Sequence, residues 1–348
     1  MTRMSKWFFP PAVGAWIVLT SLSQAATRKL TLNPYDSVNW GEVVQNKANL
    51  HTHTVSSGGK LLLSQVVEEY ARHGYTILAI TDHNLCTKWQ KAGIDPMTTY
   101  GILPVMGQEY SKGHHINGYF TDHADGTGNP DLTLLGITGQ GGFAVINHPG
   151  RYWKPNTEGL VPDETQAEYL HLLDVNPFVL GIEVINKNNR CPHDAHLWDA
   201  LLDKAMPSRP VWGFANDDMH ERKQIGHSWE VFLLDRLDES TVRHAMLKGH
   251  FYFSSRKSGH DHNGLSAPPV IVSVGHDFVS KTITLTAAAD GAILSAEHYR
   301  WIVGGRTVMT GPTLNYNATR GISNYVRAEI ESTGGITYTN PFGFSNVD

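Results

Sequence analysis

The chain has 348 residues, of which 41% are hydrophobic and 18% are charged, and its formal net charge is −5. This composition is typical of a globular protein and excludes a disordered or fibrous chain, and the length allows a large core and a second domain. The mildly acidic charge gives no electrostatic basis for binding extended nucleic acid. The 19 histidines are the unusual feature. Because several lie near acidic residues and glycines, they indicate metal binding.

The N-terminus has the pattern of a secretory signal peptide. Arg3 and Lys6 precede an apolar stretch at 7–22, and small residues follow at cleavage spacing. We therefore predict that residues 1–25 are removed and that the mature protein, with a formal charge of −7 after loss of Arg3 and Lys6, is periplasmic or secreted. A membrane anchor that stays attached is the alternative. No second apolar run is long enough to span a bilayer, so we expect no membrane association after signal removal.

A repeating pattern of short apolar runs and helical segments follows. Residues 61–74 predict a helix that Ser64 caps and Gly74 ends. Short apolar runs that lead into polar residues recur at 76–80, 102–106, 143–146, 180–182 and 211–215. Helical patterns precede the last two runs, at 164–173 and 196–206. This alternation predicts a parallel α/β barrel with its active site at the carboxyl ends of the strands, and a doubly wound open sheet is the alternative.

The pattern changes after about residue 253. The segment 254–269 is rich in Ser, Gly, His and Pro, which predicts a linker. Beyond it, apolar and polar residues alternate between Gly, Asn and Asp turns, which predicts a small antiparallel β-sandwich. The predicted domains are a signal peptide at 1–25, a barrel at 26–260 and a β-sandwich-like domain at 261–348.

Side chains able to bind metal lie close to the ends of these predicted strands. They are His51, His53, His83, Glu109, His115, His148, Asp218 and His220. The imidazoles of His51 and His53 point to the same side of an extended chain because one residue separates them. A single histidine of this kind is more often a hydrogen-bonded structural residue. Six imidazoles and two carboxylates, however, exceed one tetrahedral shell and favour at least two ions.

These residues lie in motifs that resemble, in order, those of the PHP (polymerase and histidinol phosphatase) metallo-hydrolases. The motifs are His51-Thr52-His53, Thr81-Asp82-His83-Asn84, Gly107-Gln108-Glu109, His115-Ile116-Asn117-Gly118, Asn147-His148-Pro149 and Asp218-Met219-His220. They span about residues 49–255, and the signal peptide with a trailing β-domain is similar to the secreted branch of that superfamily. The resemblance implies a distorted (β/α)7 barrel, two or three divalent ions (Zn, Mn or Fe), and hydrolysis of phosphoric esters.

The resemblance also implies how the ligands are shared. It assigns His51, His53, Glu109 and Asp218 to one ion. Glu109 would bridge to a second ion, which His115 and His148 would also hold. His83 and His220 would contribute to a third ion. Many relatives have Ser-Asp-Gly after the first motif, with the Asp as a ligand, whereas this chain has Ser57-Gly58-Gly59. The third ion is therefore an open question.

Three residues are candidates for catalysis. Glu109 would bridge two ions, and Asp82 would orient ligands or handle protons. Asp82 is expected to be a partner of a ligand rather than a ligand itself, because His83 holds the motif's ligand position. Arg151 would make a bidentate contact to substrate phosphate, and its alternative is an ordinary surface ion pair. Lys187 and Arg256 are weaker candidates for the same contact.

Some neighbouring residues have two readings. Glu183 is either a metal ligand or a partner of one. His114 and Asp217 are adjacent to motif residues but out of register with the motifs. Cys86 and Cys191 lie in predicted loops at the active-site end, where they either form a disulfide across the mouth of the barrel or stay free.

The leading interpretation is an exported metal-dependent phosphoesterase, either a phosphomonoesterase or a phosphodiesterase. A metal-bridging hydroxide would attack a small-molecule phosphate ester. The same cluster could instead cleave a carbamate, a carboxylic ester or a glycoside, because a fold does not fix a function. A non-catalytic metal-binding or carbohydrate-binding module is the remaining alternative. The sequence indicates no oligomeric state.

Overall fold

The computed structural model describes residues 27–124, 127–257 and 266–346. The predicted signal peptide at 1–25 and the predicted domain boundary at 260–261 lie outside the described residues. Within the described ranges, no helix is both long enough and apolar enough to cross a membrane.

The chain up to residue 256 alternates strands and helices. The strands are β1 (Arg28–Leu32), β2 (Val44–Asn49), β3 (Ile77–Ile80), β4 (Leu103–Tyr110), β5 (Ile116–Tyr119), β6 (Phe143–Ile146), β7 (Val179–Asn186), β8 (Trp212–Asn216), β9 (Ser228–Leu234) and β10 (Phe251–Arg256). The helices are α1 (Leu63–Arg72), α2 (Pro96–Tyr100), α3 (Pro130–Gly139), α4 (Asp163–Asp174), α5 (Asp194–Ala205) and α6 (Glu239–Lys248).

Strands β2 to β8 lie side by side in chain order, and β9 flanks β2. The β2–β3, β3–β4, β6–β7 and β7–β8 pairs are parallel, whereas β5 runs antiparallel to both of its neighbours. The order does not reverse as it does in a doubly wound sheet, so that alternative is excluded. Fully buried strands such as β3 and β6 are continuous apolar runs because both of their faces are covered.

Hydrogen bonds join the strands at the two ends of this path. The backbone N–H of Ala215 in β8 donates to Glu230 Oε1 in β9 at 2.9 Å. Just beyond β2, the N–H of Leu50 donates to Asn216 Oδ1 at 2.6 Å, and the N–H of His53 donates to the carbonyl of Met219 at 2.9 Å. These contacts bring the end of β8 against the end of β2 and so produce a barrel with one irregular seam.

The predicted helix at 61–74 corresponds to α1, but Ser64 does not cap it. Leu62 holds the capping position, and its backbone N–H donates to Gln65 Oε1 at 2.9 Å. Gly74 follows the helix with φ of +74°, a left-handed conformation that glycine adopts without steric cost. The helix therefore ends as predicted and begins without a Ser cap.

The C-terminal region consists of two antiparallel sheets. Its strands are β11 (Val270–Asp277), β12 (Thr282–Ala289), β13 (Ala292–Ile293), β14 (Tyr299–Val303), β15 (Arg306–Thr310), β16 (Thr313–Asn315), β17 (Tyr325–Ser332), β18 (Gly335–Thr339) and β19 (Phe342–Asn346). In one sheet β12 pairs with β11, β13 and β16. The other sheet contains β14, β15, β17, β18 and β19, and β1 pairs with β19. Ile283 and Trp301, one from each sheet, belong to the same buried cluster, as expected for a sandwich.

The two parts of the chain are continuous rather than loosely joined. Strand β10 pairs on one side with β9 and on the other with β18, so backbone hydrogen bonds run from the barrel into the C-terminal sheet. Residues 254–256 belong to β10, so the prediction that the linker begins at 254 is wrong. The apolar residues of this strand stop at Phe253, and the two serines that follow, Ser254 and Ser255, are typical of loops. The end of the strand therefore resembles a loop in the sequence.

Candidate metal centre

The ends of the barrel strands bring the predicted ligands together at one end of the barrel. His51 and His53 follow β2, His83 follows β3 and His148 follows β6. Asp218 and His220 follow β8, and Glu109 and His115 lie at the shared end of the β4–β5 pair. Most are buried, with His83 and His220 half-buried. The prediction that the active site lies at the carboxyl ends of the parallel strands therefore matches the place where these side chains meet.

Glu109 is at the centre of the cluster. Its Oε1 lies 2.8 Å from His115 Nδ1 and 3.2 Å from His148 Nε2. The same oxygen is 3.3 Å from His51 Nε2, whereas Oε2 lies 2.7 Å from His83 Nδ1. The two carboxylate oxygens thus face different imidazoles, an arrangement that suits a carboxylate bridging two ions.

Asp218 forms the second acidic point of the cluster. Its Oδ1 lies 3.2 Å from His53 Nε2 and 3.4 Å from His220 Nδ1. Its Oδ2 lies 3.2 Å from Lys187 Nζ. Asp218 has φ of +43° and His148 has φ of +29°, conformations that non-glycine residues adopt rarely and that concentrate at functional sites.

Buried polar atoms without a hydrogen-bond partner are concentrated in this cluster. Among the described residues they include His51 Nε2, His53 Nδ1, His53 Nε2, His83 Nδ1, Glu109 Oε2 and His148 Nδ1. A buried polar atom that stays unpaired costs free energy. Imidazole nitrogens and carboxylate oxygens are also the ligands that Zn, Mn and Fe accept. The donor set therefore fits bound metal ions better than a network that is complete in itself.

The ligand atoms fall into overlapping groups of three. Within each group all ligand atoms lie within 4.8 Å of one another: His51–His53–Glu109, His83–Glu109–His115, His53–His83–His220 and His51–His148–Glu183. Because several residues belong to two groups, the arrangement suits more than one ion. His83 lies with Glu109 and His115 as well as with His220, so the grouping is less segregated than the resemblance implied.

Gly58 lies beside the group that contains His220. A Cβ built on Gly58 would come within 3.9 Å of His220 Cδ2, and the residue has φ of +113°. A side chain at this position would therefore reach the His53–His83–His220 group, which here consists of imidazoles alone. The absence of a carboxylate at position 58 lowers the negative charge available to a third ion.

Glu183 contacts the cluster from behind. Its Oε1 lies 3.1 Å from His51 Nδ1, while Oε2 accepts the backbone N–H of His148 at 3.0 Å and the side-chain amide of Asn186 at 2.9 Å. A carboxylate on one imidazole nitrogen fixes the ring and leaves the other nitrogen for metal. Of the two readings of Glu183, these contacts favour the partner of a ligand.

Burial and charge set the protonation of the cluster. Burial lowers the pKa of His53 to about 4, so this imidazole is neutral near pH 7 and its nitrogens can bind metal. Burial alone would raise the pKa of Glu109, but His51, His115 and His148 hold it well below its usual value. Glu109 is therefore an anion in the middle of the imidazoles, as a bridging ligand must be.

Asp82 lies beside the cluster with its hydrogen-bonding capacity filled. Its carboxylate accepts from the backbone N–H and hydroxyl of Thr54 at 2.8 and 2.7 Å, from Ser57 Oγ at 2.6 Å and from Thr87 Oγ1 at 2.5 Å. Asp82 thus holds the loop that follows His53. Among its predicted roles, this arrangement favours orientation of ligands over proton transfer.

Asp217 and His114, which are adjacent to motif residues but out of register with the motifs, have their contacts outside the cluster. Asp217 accepts the backbone N–H groups of Gly226, His227 and Ser228 at 2.8, 2.8 and 3.1 Å. His114 Nε2 lies 2.9 Å from Glu168 Oε1 at the surface. Asp217 and His114 are therefore both engaged away from the cluster.

A cavity of about 310 Å³ opens above the cluster. Its lining includes three basic side chains, Arg151, Lys187 and Arg190, together with Ser111. Arg151 Nη1 lies 3.4 Å from His115 Nδ1. Arg256, by contrast, donates to the carbonyls of Gly226 and Ser266 and does not line this cavity.

Arg190 and Ser111 were not identified from the sequence. The apolar run at 180–182 suggested that its strand ends at Glu183, but β7 continues to Asn186, so the residues at the strand exit are 187–190. Glu183 is a polar residue inside β7, where its side chain points into the barrel. Because it interrupts the apolar run, it suggests an end of the strand that is not there. The two positively charged residues in Lys187-Asn188-Asn189-Arg190 are the sequence feature that could have indicated Arg190 as part of the site.

Cys86 and Cys191 are both free thiols. Of the two readings, the disulfide across the mouth of the barrel is therefore wrong. Cys191 is buried behind the 187–190 turn, where its side chain packs closely against Gly150.

Comparison with known proteins identifies the fold. No family model matches the sequence, and no curated protein matches it either. The crystal structure of a two-domain protein from Bacteroides vulgatus, described as containing a PHP-like metal-dependent phosphoesterase, is similar to this chain with a TM-score of 0.50 and 16% identity, covering 90% of this chain and 98% of that one. The chain therefore has the PHP-like barrel fold with a second, C-terminal β-domain, and the predicted fold class is confirmed.

Two further solved structures are similar to part of this chain. One is an amidohydrolase from Chromobacterium violaceum with bound sulfate and no metal, with 18% identity and a TM-score of 0.40, covering 58% of this chain and 96% of that one. The other is a protein from Bifidobacterium adolescentis described as a metal-dependent phosphoesterase, with 16% identity and a TM-score of 0.38, covering 60% of this chain and 98% of that one.

Proposed function

We propose that this chain is an exported, metal-dependent phosphoesterase of the PHP type that hydrolyses small-molecule phosphate esters. The observation that carries the proposal is the buried cluster around Glu109, which lies beneath a cavity lined by Arg151, Lys187 and Arg190. Several imidazole nitrogens of this cluster and Glu109 Oε2 lack hydrogen-bond partners. The signal-peptide pattern at 1–25 supports export. Two or three divalent ions of Zn, Mn or Fe are the proposed cofactors.

The residues divide the work between holding metal and holding substrate. The six histidines, Glu109 and Asp218 would hold the ions, and bound ions would supply an activated water and would polarise a phosphoryl oxygen. Glu183 keeps His51 in the orientation that leaves Nε2 free for metal. Asp82 keeps the 54–57 loop against the cluster. Arg151 projects into the cavity beside His115, where its guanidinium can bind a phosphoryl oxygen.

The test is a substrate panel with metal-loaded protein. Protein supplied with Mn, Zn or Fe is assayed on chromogenic phosphate monoesters and diesters beside aryl esters and carbamates. We expect turnover of phosphate esters, with metal bound in more than one equivalent. Turnover of carbamates or aryl esters without turnover of any phosphate ester would overturn the proposal and favour the same cluster acting on a different bond. Sequencing the N-terminus of exported protein tests the predicted cleavage near residue 25.

A further inference from the structure

The turn after β7 is held in a fixed conformation above the metal centre. Lys187 and Asn189 have φ of +56° and +50°. The backbone N–H of Lys187 donates to the carbonyl of Asn216 at 2.8 Å, and that of Arg190 donates to the carbonyl of Asn186 at 3.0 Å. Ser228 Oγ donates to the carbonyl of Lys187 at 2.6 Å. The side chains of Lys187 and Arg190 are therefore carried by a backbone that is tied to β8 and to the start of β9.

This turn packs against the turn that carries Arg151. A Cβ built on Gly150 would lie 2.6 Å from Cys191 Cβ, so only glycine allows the two turns to approach this closely. As a result Arg151, Lys187 and Arg190 line the same cavity. We name these three residues the basic wall.

The charges of the basic wall are only partly neutralised. Lys187 forms an ion pair with Asp218 at 3.2 Å. The guanidinium groups of Arg151 and Arg190 form no ion pair with a carboxylate in the described part of the chain. An unpaired guanidinium beside a cavity is suited to an oxyanion, because its planar N–H groups match the oxygens of a phosphate.

The number of phosphoryl oxygens decides which ester can use this wall. A phosphodiester has one negative charge and two terminal oxygens, and two metal ions below the cavity would engage both oxygens. A phosphomonoester has up to two negative charges and three terminal oxygens. One oxygen of a monoester is then left for a guanidinium. The basic wall therefore stabilises a monoester more than a diester.

Resting on the proposed function, we infer that Arg190 and its neighbours in the basic wall make this site selective for phosphomonoester dianions over phosphodiesters. Arg190 is the specificity-determining residue that the wall adds to Arg151. It is exposed at the rim and forms no ion pair with any of the described residues, so replacing it changes the charge of the wall without disturbing the fold.

Arg190→Gln, with Arg320→Gln as the matched exposed control on the C-terminal domain, tests this inference. The assays use metal-loaded protein at pH 8 with p-nitrophenyl phosphate and bis(p-nitrophenyl) phosphate. We expect Arg190→Gln to lower kcat/KM about tenfold for the monoester and less than about twofold for the diester, the size of one charge-assisted hydrogen bond. Arg320→Gln should leave both values unchanged. Equal losses on both esters, or no loss on either, would overturn the inference.

A binding measurement separates this inference from the proposed function. Calorimetry with inorganic phosphate and with dimethyl phosphate should show about tenfold weaker phosphate binding in Arg190→Gln and unchanged dimethyl phosphate binding. If the wild-type protein turns over no ester, the proposed function fails, and phosphate binding alone decides the role of the wall. Unchanged phosphate affinity in Arg190→Gln would refute that role.

Discussion

The buried charges around Arg327 and those around Glu109 differ in how the protein satisfies them. Arg327, which is 2% exposed, lies between the C-terminal sandwich and α5. Its Nε and Nη2 donate to the two oxygens of Asp199 at 2.8 and 2.7 Å, and its Nη1 donates to Glu329 at 2.7 Å. The hydroxyl of Tyr325 donates to Asp199 Oδ1 at 2.8 Å. Every charge in this cluster has a partner within the chain.

The cluster around Glu109 is equally buried but is not complete. Imidazole nitrogens of His51, His53 and His83 approach carboxylate oxygens and still lack hydrogen-bond partners. A buried charge network that the protein completes contributes to a unique fold, whereas one that it leaves incomplete is suited to a ligand. The number of buried charges therefore does not mark a functional site. The unsatisfied atoms among them do.

The largest expected effect is on the incomplete cluster. His51→Ala removes an imidazole that faces both Glu109 and Asp218. We expect kcat/KM for phosphate esters to fall by about 1,000-fold or more, equivalent to roughly 4 kcal/mol of transition-state stabilisation. Metal content should fall as well, while circular dichroism should show a retained fold. His114→Ala, whose partner is Glu168, is the matched control and should keep both activity and metal. Full activity in His51→Ala would remove the basis of the metal-site assignment.

The next effect is expected on the complete cluster and concerns stability. Arg327→Met leaves the buried carboxylate of Asp199 without its cation, whereas Glu329 keeps an ion pair with Arg300 at 3.0 Å. We expect the free energy of unfolding to fall by about 3 kcal/mol or more, measured by urea denaturation. Metal content of the folded protein should not change. The double variant Asp199→Leu/Arg327→Met should recover part of the loss, because no isolated charge remains. An Arg327→Met protein as stable as wild type would show that this cluster is not a stabilising one.

The parts of the molecule that the sequence predicts are those that depend on local pattern. The ligands meet because parallel strands present their carboxyl ends at one edge, and the residues after 80, 146 and 216 could therefore be placed from apolar runs alone. Strand β2 contains no apolar run, and His51 and His53 were proposed from their spacing instead. The distinction between Asp217 and Asp218 also followed from motif register.

The parts that could not be predicted depend on pairing between distant residues. Arg28–Leu32 forms a strand only because it pairs with Phe342–Asn346 at the other end of the chain. Arg190 reaches the cavity because β7 runs four residues beyond the apolar run at 180–182. The start of α1 depends on the side chain of Gln65, which offers the Leu62 backbone an acceptor that Ser64 does not.

The smallest expected effect concerns Glu183, whose contacts with His51 and His148 hold part of the incomplete cluster in place. In Glu183→Gln, one carboxylate oxygen becomes an amide N–H₂, which faces either His51 Nδ1 or the donating N–H of His148. One of the two contacts is therefore lost, and His51 is less firmly oriented. We expect metal affinity, measured by competition with a chelator, to fall about 10–100-fold with the fold intact. Glu168→Gln, at the surface beside His114, should leave the affinity unchanged. An unaltered affinity in Glu183→Gln would mean that the ligands are oriented by the barrel backbone alone.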